Sequence, residues 1–302
     1  RFVETAFKAG AAAAMVQKGY SVAVEDRNVV AVDNTEKAMG DIAAGIIRER
    51  GNSLIKVAVT GSVGKTSTKD MIAFVLAQKY KTLKSKLNHN NELGLPLTVM
   101  GLEKEHQVLV AEMGMRGMGQ IEYLTNIVKP DIAVITNIGV AHLELLGSRE
   151  NILKAKLEVC KGMKADSTLV LNGDNDMLSQ ENIVRNILSE YGVTCPKIIY
   201  FGTEDNSDYK AENIHGSNYL LFTPTGEKFD VCLKVPGVHN VYNSMAAICV
   251  AKSAGISVED AVRTLSEFGK DVSRQKIIEM PWGYIIDDTY NAGPESMEAS
   301  LS

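Results

Sequence analysis

Residues 60–67, TGSVGKTS, contain the residue types that bind phosphate groups in proteins. They follow the β-branched run IKVAV and precede a segment that is compatible with a helix. A glycine turn between a strand and a helix points several backbone N–H groups at one anion, a lysine adds positive charge, and a threonine hydroxyl can bind Mg²⁺. The candidate phosphate-binding residues are Thr60, Gly61, Ser62, Gly64, Lys65, Thr66 and Ser67.

The spacing of this turn departs from the usual phosphate-loop pattern at one position. The pattern G-x-x-x-x-G-K-[ST] requires a glycine where this chain has Val59. A chance Gly-Lys-Thr in a surface loop is the alternative, but the order of strand, turn and helix favours the phosphate loop.

Two side chains that can bind metal follow apolar, strand-like runs. Glu112 ends VLVAE, and His142 follows AVITNIGVA. Together with Thr66 they could supply oxygen and nitrogen ligands to a metal ion beside the phosphates. The alternatives are an ordinary exposed carboxylate for Glu112 and a core or helix-capping histidine for His142.

Four other stretches contain polar residues that could contact a ligand. Lys156 lies in LKAKLEVC, where a solvated helix lysine is the alternative, and residues 88–96 form a polar loop that could also be a plain turn. Asn240 and Asn243 share a helix face, and their amides could read a nucleobase, which is compatible with helix capping by Asn240. Of the acidic pair at 287–288, which follows a strand-like run, one residue could bind a ribose hydroxyl.

The elements that must position these residues alternate between strand-like and helix-like patterns. Short β-branched runs such as IKVAV, VLVAE and IAVIT are separated by helical segments. This order predicts an α/β fold whose mostly parallel sheet is flanked by helices, with ligands at the carboxyl ends of the strands. From about residue 205, hairpin-like alternation predicts a small antiparallel insertion.

Composition excludes several classes of function. The 302 residues carry a net charge of −5, which argues against a general nucleic-acid binder. No apolar run is long enough to cross a membrane, and the first 20 residues have the pattern of a helix, not of a signal peptide. The four cysteines form no C-x-x-C pair, which favours reduced thiols in a cytoplasmic protein.

Seven motifs together resemble the ATP-dependent Mur ligase family. In chain order they are TGSVGKTSTKD, NNELGLP, AEMGMRGMGQIEYL, ITNIGVAHLELLGS, AKLE, PGVHNVYN and DDTYNAGPESM. Three of these motifs, NNELGLP, AEMGMRGMGQIEYL and DDTYNAGPESM, are most similar to those of the members that join D-alanyl-D-alanine to a UDP-N-acetylmuramoyl-tripeptide through an acyl phosphate. The resemblance implies that residues 1–33 are a remnant of an N-terminal UDP-substrate domain. Residues 34–270 would be the central ATP-binding domain, and residues 271–302 the start of a C-terminal Rossmann-like ligase domain.

The resemblance also implies roles for individual residues. Lys65, His142 and Lys156 become the candidate catalytic residues, and Thr66, Glu112, His142 and Lys156 the ligands of two Mg²⁺ ions, with Lys156 carried as a carbamate. Asn240 corresponds to a residue at adenine, Arg274 to one at the terminal phosphate and Asp288 to one at the ribose. Asn90 and Asn91 correspond to a substrate loop. Gly293, in a motif that usually reads N-A-N-P, and the serine before Arg274 depart from the family pattern.

Three alternatives remain open at this point. A Mur ligase that adds a diamino acid and a folylpolyglutamate synthetase share the ATP site, and a P-loop nucleotide switch would not need Glu112, His142 and Lys156. We further expect a cytoplasmic monomer. We expect residues 1–302 alone to bind nucleotide weakly and not to complete ligation, because the family's third domain presents the amine.

Overall fold

The computed structural model describes residues 2–20, 28–86, 88–194, 196–269, 276–287 and 297. The helices are α1 Val3–Lys8, α2 Thr35–Arg50, α3 Lys65–Leu76, α4 Gly94–Met100, α5 Gln120–Val128, α6 Leu143–Leu146, α7 Arg149–Leu157, α8 Glu181–Glu190, α9 Val238–Ser253 and α10 Val258–Leu265. The strands are β1 Ala14–Gln17, β2 Val29–Val32, β3 Ile55–Thr60, β4 Thr82–Lys84, β5 Val108–Glu112, β6 Ile132–Ile135, β7 Thr168–Asn172, β8 Lys197–Gly202, β9 Tyr209–His215, β10 Asn218–Phe222, β11 Lys228–Cys232, β12 Lys276–Met280 and β13 Gly283–Asp287. Short 3-10 helices occupy Gly51–Ser53 and Glu158–Gly162.

One sheet of nine strands organises the described part of the chain. Its order is β11-β10-β9-β8-β7-β6-β3-β5-β4, and β3 lies between β5 and β6. All pairs from β4 through β9 are parallel. The predicted α/β class with a mostly parallel sheet is therefore confirmed. The predicted antiparallel segment is also present, and β10 and β11 continue the same sheet at its edge.

Helices cover both faces of this sheet, which explains why its central strands are apolar without alternation. Val57 and Val59 pack with α3, α9 and α10 on one face, whereas Ala58 packs with α2, α5, α7 and α8 on the other. Successive strand residues point to opposite faces, so a strand that is covered on both sides is apolar at most positions. The buried Lys56 of β3 is the exception, and its Nζ pairs with Asp131 Oδ2 at 2.6 Å. The carboxyl end of β3, where the glycine turn begins, is thus held by two cores.

The prediction of a helix throughout residues 1–20 is wrong beyond Lys8. The chain leaves α1 at Ala9, and Gly10 has a φ of +94°. Residues Ala14–Gln17 then pair in parallel with β2. Strand pairing with a distant segment here outweighs the high helix propensity of the alanine run.

The ends of the predicted domains are not tested by this architecture. Beyond residue 269, the described residues form an antiparallel β12–β13 hairpin, which includes the strand expected in WGYIIDD. Of the motif DDTYNAGPESM, residues 288–296 lie outside the described residues. Among the helices of the described part, none is both long and apolar enough to cross a lipid bilayer.

Candidate functional site

The turn between β3 and α3 depends on two glycines with left-handed backbone angles. Gly61 has a φ of +146° and Gly64 a φ of +80°. A Cβ atom on Gly61 would lie 1.9 Å from Thr136 Oγ1, and one on Gly64 would lie 3.1 Å from Asn243 Oδ1. Only glycine fits this backbone and this spacing, so the chain comes close to neighbouring polar groups at the carboxyl end of β3.

Two residues that directly follow β6 hold the turn in place. Asn137 Oδ1 accepts from the backbone N–H groups of Ser62 and Val63 at 3.1 and 3.0 Å. Thr136 Oγ1 donates to the Val63 carbonyl at 2.6 Å, and Ser62 Oγ accepts from Gly139 N at 2.9 Å. Sequence reasoning missed these supporting residues, although their place after a strand next to β3 was a usable signal.

Lys65 lies over this turn. Its Nζ donates to the carbonyl oxygens of Gly61 and Ser62 at 2.8 and 2.9 Å. Lys65 and Thr66 begin α3, where backbone N–H groups lack partners within the helix. Thr60 Oγ1 is buried and has no hydrogen-bond partner in the described part of the structure. The arrangement brings one ammonium group and the N-terminus of a helix to the same point, and both favour the binding of an anion there.

Lys156 and His142, far from Lys65 in sequence, lie close enough to Lys65 for the charges to interact. Lys156 is only 1% exposed, and burial holds its pKa well below the ordinary value. The Lys65 charge lowers that pKa further, whereas Glu158 opposes the shift. Partial desolvation lowers the pKa of His142, followed by the charges of Lys156, Lys65 and Arg116. Basic groups from three elements therefore share one electrostatic environment.

The alternatives considered for these two residues do not describe them. Lys156 is buried, so it is not a solvated helix lysine. His142 precedes α6 with a φ of +67°, its side chain makes no capping hydrogen bond, and it is exposed to solvent. His142 is therefore neither a core residue nor a side-chain cap.

Glu112 ends β5 beside the turn, since its register partner is Val59. It is 2% exposed, so the alternative of an ordinary exposed carboxylate is wrong. Its Oε1 accepts from Asn90 Nδ2 at 2.9 Å, and its buried Oε2 has no hydrogen-bond partner within the described residues. Asn91 Oδ1 instead accepts from Gly94 N at 2.8 Å, at the start of α4. Of the two loop asparagines, Asn90 is thus the one in contact with the candidate metal ligand.

Asn240 and Asn243 join α9 to α3. Asn240 Nδ2 donates to the Pro236 carbonyl at 2.7 Å, and its Oδ1 accepts from Asn243 Nδ2 at 3.1 Å. Asn243 Oδ1 accepts from Thr68 Oγ1 at 2.9 Å. Both asparagines are 6% exposed. Asn240 is linked to Asn243 within α9, and Asn243 connects α9 to Thr68 of α3.

The predicted metal ligands include only two side chains of the usual metal-binding types, Glu112 and His142. In the described part of the chain, no three His, Cys, Asp or Glu side chains are arranged to hold a metal ion. Glu112 and His142 would each need donors of other kinds. Arg274 and Asp288, predicted at the terminal phosphate and the ribose, lie outside the described residues.

Comparison with known proteins agrees with this geometry. Residues 59–251 match the family described as "Mur ligase middle domain". The chain is 39% identical over 302 residues to the UDP-N-acetylmuramoyl-tripeptide–D-alanyl-D-alanine ligase of Bacillus subtilis, covering 99% of this chain and 63% of that protein. The chain therefore spans less than two thirds of the length of this relative.

Solved structures give the same result. A crystal structure of MurF from Acinetobacter baumannii superposes with a TM-score of 0.86 at 32% identity, covering 99% of this chain and 63% of the other. MurF ligase from Thermotoga maritima, crystallised in complex with ADP, superposes with a TM-score of 0.83 at 28% identity, covering 99% and 67%. The chain thus belongs to the Mur ligase family.

Proposed function

We propose that the protein carrying this sequence is an ATP-dependent carbon–nitrogen ligase that joins D-alanyl-D-alanine to a UDP-N-acetylmuramoyl-tripeptide. The observation that carries the proposal is the convergence of Lys65, Lys156 and His142 beside a glycine turn at the carboxyl edge of a parallel sheet. One ammonium group, Lys65, beside two basic groups whose pKa values are lowered suits a reaction between a polyphosphate and a carboxylate. The relatives that carry this activity by name match across 99% of the chain.

The chemistry needs ATP because a carboxylate is a poor electrophile. A carboxylate oxygen of the tripeptide attacks the γ-phosphorus of ATP, and the bond to the bridging oxygen of ADP breaks. The amine of D-alanyl-D-alanine then attacks the acyl carbon of the resulting acyl phosphate. The tetrahedral adduct loses phosphate, which takes one former carboxylate oxygen with it, and a proton leaves the nitrogen to give the amide.

The protein's part in the first step is to place charge where negative charge develops. The amides of the turn and the N-terminus of α3 would surround the β- and γ-phosphates. Lys65, which now donates to Gly61 and Ser62, would exchange these carbonyl partners for phosphate oxygens. Because Asn137 and Thr136 already hold the turn, little reorganisation is needed when the nucleotide binds.

The residues present fit one Mg²⁺ site better than two. Thr66 and Glu112 would hold the first ion together with phosphate oxygens, and the buried Glu112 Oε2 without a hydrogen bond is a suitable ligand. His142, whose pKa is lowered, offers a neutral imidazole to a second ion, but an unmodified Lys156 has no suitable oxygen. When bound, Mg²⁺ would neutralise charge on the transferred phosphoryl group.

Carbamylation of Lys156 would resolve this mismatch. Burial and the Lys65 charge lower the pKa of Lys156, which favours the neutral amine. A neutral amine adds to CO₂ and releases a proton, which gives an anionic carbamate with two oxygens. We therefore infer that Lys156 acts as a carbamate between the basic groups and the second ion.

The remaining site roles follow the family pattern and stay predictions. We infer that Asn240 lies beside adenine. Because its side-chain amide is already hydrogen-bonded to Pro236 and Asn243, Asn240 would orient α9 and would not be free to hydrogen-bond the base. Asn90 would position Glu112 and face the substrate side, with Asn91 as support for α4. Arg274 and Asp288 would contact the terminal phosphate and the ribose. A cytoplasmic monomer also remains our prediction.

The decisive experiment uses the full-length protein with ATP, Mg²⁺, D-alanyl-D-alanine and a UDP-N-acetylmuramoyl-tripeptide labelled with ¹⁸O in its reacting carboxylate. We expect a product of the mass of the pentapeptide and one ¹⁸O atom in the released phosphate. Parallel reactions would pair a UDP-N-acetylmuramoyl-dipeptide with a diamino acid, and a folate with glutamate, which tests the two related ligase alternatives. Phosphate release without peptide substrate and without ¹⁸O transfer would favour a nucleotide switch and refute the proposal.

A further inference from the structure

Lys69 is a buried lysine beside the candidate metal ligand Glu112. It lies on α3, one turn after Lys65, and its side chain is 2% exposed. Its Nζ lies 3.7 Å from Glu112 Oε2 and 3.4 Å from Asp70 Oδ1. A buried ammonium group is costly unless carboxylates compensate it, and among the described residues these two carboxylates do so.

Glu112 depends on Lys69 in return. Its side chain is 3% exposed, and its Oε2 makes no hydrogen bond to any described residue. Within the described chain, Lys69 is the ion-pair partner of this carboxylate. Lys69 therefore compensates the negative charge of Glu112 Oε2, the oxygen that would coordinate a divalent cation.

A second carboxylate allows Lys69 to give up Glu112. Asp70 accepts from Lys84 Nζ at 2.8 Å and also lies near Lys69. If a metal ion neutralised Glu112, the Lys69 ammonium would keep Asp70 as its partner. Lys84 differs from Lys69 in being half-exposed and in having Asp70 as its one ion-pair partner among the described residues.

We propose that Lys69 is a built-in counter-ion of Glu112 that weakens binding of free divalent metal, so that metal enters this site together with the nucleotide phosphates. The proposal rests on the metal role assigned to Glu112 above. A unit charge about 4 Å from a divalent cation changes the metal affinity by more than about tenfold even at the dielectric constant of water, about 80, and the change is larger at the lower effective constant of a buried site. Removal of the Lys69 charge should therefore strengthen metal binding, whereas loss of a merely structural lysine would weaken it or leave it unchanged.

The test measures binding of Mn²⁺ alone, by electron paramagnetic resonance of the unbound ion, to the full-length protein without nucleotide. Lys69→Met should lower the Kd for Mn²⁺ by at least about tenfold. Lys69→Gln removes the charge but keeps a hydrogen-bond donor for Asp70. It should show the same decrease in Kd, and it provides the test if the methionine variant does not fold. Lys84→Met is the matched control and should bind Mn²⁺ as the unaltered protein does.

Glu112→Gln separates this inference from the site assignment. If Glu112→Gln weakens Mn²⁺ binding and Lys69→Gln strengthens it, the counter-ion role is supported. Unchanged or weaker binding in Lys69→Gln, with weaker binding in Glu112→Gln, would overturn the role of Lys69 and leave the metal site intact. Unchanged binding in Glu112→Gln would remove the metal site itself, and the counter-ion role with it.

Discussion

Replacement of Gly61 by alanine tests whether the turn after β3 is a preformed anion site. The backbone there has a φ of +146°, which an L-residue rarely adopts. A new Cβ would also lie 1.9 Å from Thr136 Oγ1 and 3.1 Å from the Thr136 backbone nitrogen. The side chain of Thr136 would have to rotate away, and its hydrogen bond to the Val63 carbonyl would be lost.

The size of the effect follows from these two consequences. An L-residue in a sparsely populated backbone region costs about 1–3 kcal/mol. A hydrogen bond that is lost within a buried turn costs a further ~1 kcal/mol. Because the backbone nitrogen of Thr136 belongs to the sheet and cannot move freely, relaxation of the turn should displace the amides that are meant to bind phosphate. We expect a loss of about 2–4 kcal/mol in the free energy of unfolding.

Urea denaturation measures the stability, and calorimetric titration with a non-hydrolysable ATP analogue measures the affinity. Gly45→Ala is the matched control, because Gly45 lies within α2 with open space around its missing Cβ. That change should stabilise the protein by about 0.5–1 kcal/mol and leave nucleotide binding unaltered. Normal stability and normal nucleotide affinity in Gly61→Ala would show that the turn is not the strained, preformed site described here.

Four further outcomes are expected from the geometry of the site. Lys65→Ala should abolish ligation in the product assay, because the cation over the phosphates is lost, and near-normal product formation would contradict the phosphate-loop assignment. Lys156 should give a carbamate signal by ¹³C NMR in labelled bicarbonate, and a short-chain carboxylate should partly restore Lys156→Ala. Lys154→Ala, a partly exposed site on the same helix, should keep both the signal and full activity. In CO₂-free buffer the unfolded chain binds the Lys156 proton up to a pKa of about 10.4, whereas the folded pKa is lowered. Stability by urea denaturation should therefore rise from pH 7 to 9 relative to Lys156→Met, and equal slopes would argue against a buried neutral amine. Asn137→Ala should cost about 1–3 kcal/mol in unfolding free energy, because two turn amides lose their acceptor, and an unchanged value would contradict the supporting role of Asn137.

The amino-acid sequence alone determined the features that depend on local order. A β-branched run, a glycine turn and a helix occur in that order around residues 55–76, and the structure has β3, the turn and α3 at those places. The alternation of short strands and helices was enough to predict a parallel sheet with its ligand edge at the carboxyl ends. Glu112 was recognised because it interrupts the apolar pattern where β5 ends. Such signals are local, since steric preferences and side-chain periodicity act over a few neighbouring residues.

Only the tertiary structure decided the properties that depend on distant neighbours. The helical segment around Lys156 suggested a solvated lysine, whereas packing buries it, and this burial together with the charge of Lys65 lowers its pKa. The alanine run at 11–14 suggested a helix, but β2 recruits Ala14–Gln17 as a strand. Asn137 follows a strand-like run in the sequence, but its supporting role arises only when β6 pairs with β3. Burial, charge proximity and strand pairing join residues that are far apart in the chain, and desolvation in the folded core sets their energies.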